Sequence, residues 1–202
     1  MKRPWIWSWV VLCLMGGCLT QSERTRVRYY SLNNIETSVP RAARQWPATL
    51  GIRPLTAASR YRDRIFYRLS EVEVGFYPFD RWVEPPEEMV NQLLTELIES
   101  SGLFEQVVAA EDVQASAWIL SGEVTRFDEV RKPEGRFAAC WLRLELRQAR
   151  TEELLWSEML TAKVALSDNT PEALAQAMSK AVYDVAVQLI SRLGSAKLAF
   201  SR

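Results

Sequence analysis

The chain of 202 residues contains no histidine. This absence excludes the Ser-His-Asp and Cys-His catalytic arrangements and the common zinc sites that depend on imidazole ligands. Its eight glycines form no phosphate-binding loop, and no CxxC pair or paired acidic motif stands at a spacing that demands chemistry. The sequence therefore predicts a protein that is not an enzyme and that carries no cofactor and no metal. Chemistry that uses only carboxylates or lysines stays formally open.

The chain also lacks an excess of charge of either sign. Lysine and arginine number 25 and aspartate and glutamate number 25. A nucleic-acid-binding domain normally carries a clear positive excess, because it must neutralise phosphates. We therefore expect no nucleic-acid partner.

The N-terminus has the layout of a secretory signal. A basic start (Met1-Lys2-Arg3) precedes an apolar segment, residues 5 to 15, and then Gly16, Gly17 and Cys18. The order resembles a bacterial lipobox, although Met15 stands where leucine is usual. The thiol of Cys18 would then receive a diacylglycerol before cleavage. We expect a signal peptide over residues 1–17, a lipidated tether over 18–28 and a single domain over 29–202.

The same segment has two other interpretations, a membrane-spanning helix and an ordinary cleaved signal. A membrane-spanning helix needs about 20 residues, and this apolar segment has only 11. An ordinary cleaved signal in which Cys18 is incidental stays open. Leu19 follows the cysteine where an aspartate would signal inner-membrane retention in enterobacteria-like sorting. The expected location is therefore the outer membrane, with palmitate and other acyl chains as the anchor and the domain facing the periplasm.

The three cysteines leave no pair for a disulfide. Cys13 leaves with the signal peptide, Cys18 is acylated, and Cys140 is then alone. Cys140 lies in a strand-like run. A lone cysteine in such a run is usually a small buried hydrophobe, so we expect a packing residue.

Hydrophobic periodicity predicts an α+β fold. The leucines Leu142, Leu144 and Leu146 alternate with charged residues, which indicates a strand with one covered and one wet face. Helices are predicted from Pro86 to a left-handed cap at Gly102, and from Pro171 to Gly194. The other predicted strands cover residues 29–32, 50–55, 64–69, 71–77, 117–127 and 154–166. Together these elements predict a mostly antiparallel sheet with two amphipathic helices packed on one face.

One motif is more specific than these patterns. The run Arg81-Trp82-Val83-Glu84-Pro85-Pro86 precedes the first amphipathic helix, which ends in Ser101-Gly102-Leu103-Phe104. With the runs 29–32, 52–55 and 61–68, it resembles the ABC-type transport auxiliary lipoproteins, the PqiC-like group. The resemblance covers most of the mature chain. For Trp82 and the two prolines themselves, packing and helix entry are the favoured roles over direct partner contact.

The resemblance implies a function by binding. Members of this family work as non-catalytic outer-membrane lipoproteins with an MCE-domain protein and an inner-membrane ABC permease, in a system that moves lipids and maintains the outer membrane. Because MCE proteins form symmetric rings and tubes, a homo-oligomeric ring is also expected. An assembly or plug lipoprotein of another machine, similar to lipopolysaccharide export, is the alternative. A carboxylate-dependent cell-wall hydrolase is the third hypothesis.

We expect the Cys18→Ser protein to lose its acyl mass and its membrane fractionation, because the lipid is attached through the thiol of Cys18. Mass spectrometry of the mature chain and membrane fractionation measure both effects. A wild-type chain that fractionates as soluble, with an unmodified thiol at Cys18, would contradict the prediction.

Overall fold

The computed structural model describes residues 26–33, 39–43, 45–109 and 116–195. The predicted signal peptide, Cys18 and most of the tether lie outside the described residues. No helix in the described ranges is both long enough and apolar enough to cross a bilayer.

Nine strands and two helices follow one another along the described chain. The strands are β1 (Arg28–Tyr30), β2 (Trp46–Ile52), β3 (Thr56–Ala57), β4 (Arg64–Arg68), β5 (Val74–Trp82), β6 (Phe104–Ala109), β7 (Trp118–Lys132), β8 (Gly135–Gln148) and β9 (Leu154–Ala165). The helix α1 (Pro86–Ser101) lies between β5 and β6, and the helix α2 (Pro171–Ser195) closes the fold.

All nine strands form one sheet organised around β7. On one edge, β7 pairs antiparallel with β8 over its whole length, and β8 pairs antiparallel with β9. On the other edge, β2, β3 and β4 pair in parallel with the start, the middle and the end of β7. Beyond them, β6 lies outside β2, and β5 and then β1 lie outside β4. The long pairings are antiparallel, as predicted, whereas the short parallel pairings were not predicted.

The two helices bury their apolar stripes against one face of this sheet. In α1 the buried apolar stripe is Met89, Val90, Leu93, Leu94, Leu97 and Ile98. Gly102 caps this helix with a left-handed φ of 64°. In α2 the buried stripe is Leu174, Met178, Ala181, Val182, Val185, Leu189, Ile190 and Leu193. The hydroxyl of Thr170 accepts a hydrogen bond from the amide of Ala173 at the N-terminus of α2. Proline at the first helical position costs nothing, because that amide has no partner inside the helix. The predicted helix starts are therefore confirmed.

The opposite face of β8 is open to solvent in its central part. In β8 the side chains of Leu142, Leu144 and Leu146 are fully buried, whereas Arg143 between them is exposed. This alternation confirms the predicted wet face. We call the helix-bearing side the covered face and the other side the outer face.

Several predicted boundaries were wrong. The strand predicted over residues 71–77 is β5, which starts at Val74 and continues to Trp82, so the first two residues of the sequence motif are strand. The strands β3 and β6 were not predicted. The helix α2 continues through Gly194 to Ser195. These differences arise where tertiary pairing, and not a local pattern, decides the end of an element.

Strands β1, β5 and β4 form a wing that joins β7 through a short pairing. Only Tyr67 and Arg68 of β4 are in register with β7, opposite Glu129 and Val130. The ring of Tyr67 lies over Gly75 of β5, where any β-carbon would collide with it. This close approach explains why glycine stands inside β5.

Two buried carboxylates of β7 bind the wing from opposite faces. On the covered face, Glu129 is fully buried and accepts a hydrogen bond of 2.7 Å from the hydroxyl of Tyr77. Arg131 and Arg136 neutralise it at 3.0 and 3.4 Å. A buried carboxylate is tolerated only with such partners, because the loss of its hydration is costly. The hydrogen bond between Tyr77 and Glu129 therefore fixes the position of β5 relative to β7.

On the outer face, Asp128 is 2% exposed and meets the guanidinium of Arg68 at 3.2 Å. The hydroxyl of Tyr61 donates to the same carboxylate oxygen at 3.3 Å. Arg126 lies 3.6 Å from the other oxygen. Burial raises the pKa of Asp128, while the two arginines and Tyr61 oppose that rise. Because Asp128 and Glu129 face opposite sides of β7, they do not form a catalytic pair.

Cys140 lies on the covered face of β8 and has no exposed surface. Burial raises the pKa of its thiol to about 12. We expect Cys140→Ala to fold with a loss of about 1 kcal/mol, since it removes one buried heavy atom. Cys140→Ser should cost more, about 1–3 kcal/mol, because it buries a hydroxyl. Denaturant midpoints measure both, and a serine variant as stable as the wild type would show that the site is not packed as described.

Burial and the hydrogen bond to Glu129 raise the pKa of Tyr77 from 10 to about 12. Between these two values the unfolded chain loses the phenolic proton and the folded chain retains it, so stability falls as the pH rises. We expect Tyr77→Phe to reduce the fall in the free energy of unfolding between pH 10 and pH 12. The exposed Tyr29→Phe is the control. Identical pH profiles for wild type and Tyr77→Phe would contradict this account.

Candidate functional site

The wing presents an apolar surface to solvent. Among the described residues, ten large hydrophobic side chains are exposed, and eight of them lie in or beside β1, β4 and β5. They are Val27, Tyr29, Leu69, Val72, Val74, Phe76, Phe79 and Val83. Single exposed hydrophobic residues are common on any protein, but a cluster in one region marks an interaction surface. The wing is therefore the candidate functional site.

Strand register places the aromatic part of this cluster on the outer face. Tyr77 reaches Glu129 on the covered face, so its neighbour Phe76 points the other way, where it pairs with Phe66. Tyr30 similarly points towards α2, so Tyr29 lies on the outer face opposite Arg81. Tyr29 is 64% exposed and Phe76 is 44% exposed. We call Tyr29, Phe66, Val74 and Phe76, with Arg64 and Arg81, the aromatic–arginine surface.

The arginines of this surface are held in place. The guanidinium of Arg64 stacks 4.5 Å above the ring of Phe76. Arg81 donates to the carbonyl oxygen of Tyr77 at 2.7 Å and meets Asp63 at 3.5 Å. Arg60 and Arg62 are exposed in the loop before β4. A surface of exposed aromatic rings with fixed guanidinium groups is suited to a partner that offers both apolar and anionic groups.

Strand β1 is fixed to the fold by polar contacts on its covered side. Arg28 donates to the buried Asp80 at 2.8 Å, and the hydroxyl of Tyr30 donates to Glu172 in the first turn of α2 at 2.9 Å. Burial and the Glu172 carboxylate raise the pKa of Tyr30. The hydrogen bonds to Glu172 lower the pKa of that carboxyl. The aromatic side chain of Tyr29 is thus displayed from a rigid strand.

Of the residues singled out from the sequence, Trp82 and Cys140 lie in the core and the two prolines lie at the start of α1. Trp82 is 1% exposed and its ring packs edge-to-face with Phe127 at 5.3 Å, so its predicted packing role is confirmed. Pro85 and Pro86 form the entry of α1. Cys140 is in the core, away from the wing surface. Cys18 lies outside the described residues, and its lipidation stays a prediction.

The sequence did not reveal the aromatic–arginine surface. The one signal of this surface in the sequence was the strand predicted over residues 71–77, which includes Val74 and Phe76. In β4 and β5 both faces carry aromatic residues, because Tyr67 and Tyr77 point inward while Phe66 and Phe76 point outward. Composition alone does not tell such faces apart.

A concave region lies beside the C-terminal end of α2, away from the first turn of α2 that contacts β1. A groove of about 450 Å³ separates residues 40–43 from the last turns of α2. Among the described residues that line it, most are small or apolar, and none is a carboxylate. The groove therefore gives no support to a carboxylate-dependent hydrolase. Across the described ranges, no group of three histidine, cysteine, aspartate or glutamate side chains is arranged to hold a metal ion.

The fold is similar to several solved structures. A protein of Xanthomonas campestris is 22% identical, with a TM-score of 0.72 over 80% of this chain and 91% of that one. An uncharacterised protein is 15% identical, with a TM-score of 0.59 over 84% and 97%. A hypothetical protein of Chlamydia trachomatis is 8% identical, with a TM-score of 0.50 over 75% and 98%. At these identities the likeness concerns the fold alone. No curated protein matches the chain significantly.

The sequence of the domain also matches a family model. The match extends from residue 30 to residue 190, and the family is described as the ABC-type transport auxiliary lipoprotein component. It includes the motif before α1, the wing from Tyr30 onward, the long strands and most of α2. The chain therefore belongs to the family of ABC-type transport auxiliary lipoproteins.

Proposed function

We propose that this protein is an outer-membrane lipoprotein, anchored through Cys18, that serves as a non-catalytic auxiliary component of an MCE/ABC-type lipid transport system. The family match over residues 30–190 carries the proposal. The basic, apolar, Gly-Gly-Cys order at the N-terminus supports the anchor. Leu19 after the cysteine supports the outer membrane as the location. The domain then faces the periplasm and acts by docking to an MCE-domain protein.

The fold offers free strand edges for such docking. Within the described residues, β6 pairs only with β2 and β9 pairs only with β8, so each has one unpaired edge. An unpaired edge presents amide and carbonyl groups that can accept a further strand. Ser157 on β9 and Glu105 on β6 are exposed next to these edges. The helix stripes are unavailable, because the core uses them.

The test is recovery of the partner from intact cells. A photo-reactive amino acid is placed at Ser157 or at Glu105 in the tagged, lipidated protein. We expect an adduct with an MCE-domain protein from one of these two edges, identified by mass spectrometry. Deletion of the gene should sensitise cells to detergents and other membrane-perturbing agents. The Cys18→Ser protein, which loses its anchor, should form the adduct several-fold less.

Other results would separate the hypotheses. Recovery of an unrelated outer-membrane machine, in a genome without an MCE gene, would overturn the proposal and favour the assembly or plug lipoprotein. Recovery of the MCE protein by pull-down, with no adduct from either edge, would retain the proposed function and show that the docking surface is not at these two edges.

A further inference from the structure

We propose that the aromatic–arginine surface of the wing rests on the membrane leaflet that holds the lipid anchor, with its aromatic and valine side chains in the headgroup layer. The proposal rests on the proposed function in one respect, the acylation of Cys18. It adds an orientation, since a lipid anchor alone leaves the domain free to turn about its tether.

The length of the tether brings the wing towards the bilayer. Nine residues separate Cys18 from Arg28, the first residue of β1. Whatever its conformation, a chain of that length spans at most about 35 Å. A folded domain of this size is about 40 Å across. The tether therefore favours orientations in which β1, and not the opposite edge at β9, is near the membrane.

The chemistry of the surface matches an interface between water and lipid. Tyrosine and other amphipathic side chains concentrate at the headgroup level of bilayers, where the ring is apolar and the hydroxyl is wet. Tyr29 is 64% exposed on this surface, and Val74 is 50% exposed beside Phe76. Exposed arginines next to such rings attract anionic phospholipids. Arg26, Arg60, Arg62 and Arg64 are exposed in or beside the wing.

The distribution of exposed apolar residues favours the wing over the rest of the outer face. Within the described ranges, only Leu154 and Met159 are large exposed hydrophobic residues elsewhere, and both belong to β9. In strand order, β9 is at the opposite edge of the sheet from β1. Neighbouring strands are about 4.8 Å apart, so five strand spacings separate the two edges by about 24 Å. Met159 is thus a matched control for the wing, with a similar exposure of 39%.

The experiment measures how close each edge lies to the lipid. Val74→Cys and Met159→Cys are made separately in the lipidated full-length protein and labelled with a fluorescent maleimide. The label should be selective, because Cys18 is acylated and burial raises the pKa of the Cys140 thiol to about 12. The proteins are reconstituted in vesicles of phosphatidylethanolamine and phosphatidylglycerol that contain nitroxide-labelled headgroups. We expect quenching at position 74 to exceed quenching at position 159 at least twofold.

Two further measurements test the chemistry. Tyr29→Ser with Phe76→Ser should reduce the quenching at position 74 towards the value at position 159, while circular dichroism shows an intact fold. Replacing phosphatidylglycerol with phosphatidylcholine should reduce it partly, because the arginines lose their anionic partners. Equal quenching at positions 74 and 159 in the unsubstituted protein would overturn the proposal, as would quenching that does not respond to the double substitution.

The experiment distinguishes failure of the membrane orientation from failure of the proposed function. A chain that is not acylated would take the label at Cys18 as well, and its mass would show this before reconstitution. If the wing instead receives the partner protein, the probe at position 74 stays unquenched in vesicles. A photo-reactive group at position 74 then joins the MCE-domain protein in cells. That result would overturn the membrane orientation and leave the transport function intact.

Discussion

Strand β7 is the part of the sheet on which the other strands depend. It is paired along its whole length with β8, and its other edge is shared in turn by β2, β3 and β4. Three parallel neighbours can share one edge only if the strand is long and each neighbour is short. The pairing of this 15-residue strand with β8 shifts register once, between Val124 and Arg126. The helices then cover one continuous face, which buries the core in a single layer.

The division of one edge among three neighbours leaves the wing with few backbone contacts to the sheet. Two residues of β4 are in register with β7, so side chains must supply the rest of the attachment. Asp128 and Glu129 supply it from the two faces of β7, each with arginines and a tyrosine. Buried ion pairs add little net stability, but they are costly to break one partner at a time. We infer that the clusters around Asp128 and Glu129 fix the position of the wing relative to β7.

The sequence was sufficient to predict the helices and the strand that have one apolar face. The alternation of Leu142, Leu144 and Leu146 and the two helix stripes depend on local periodicity, and the structure has them as predicted. The wing was not predictable in the same way. Between Phe76 and Arg81 the pairing of β5 with β4 changes register, so alternation fails along the strand. The strand β6 was missed because its short run directly follows the predicted helix cap at Gly102, and its pairing with β2 is what defines it as a strand.

The wing and the free edges give the domain surfaces with different chemistry. The wing displays rings and guanidinium groups on side chains that project from the sheet, which suits a fluid, chemically mixed surface such as headgroups. The edges at β6 and β9 display backbone groups at fixed spacing, which suit another polypeptide. Because β1 and β9 are at opposite edges of the sheet, a membrane at the wing does not obstruct a protein at β9. A lipoprotein that must connect a bilayer to a protein partner needs this separation. In this fold the separation follows from the position of β7 between the wing and the long antiparallel strands.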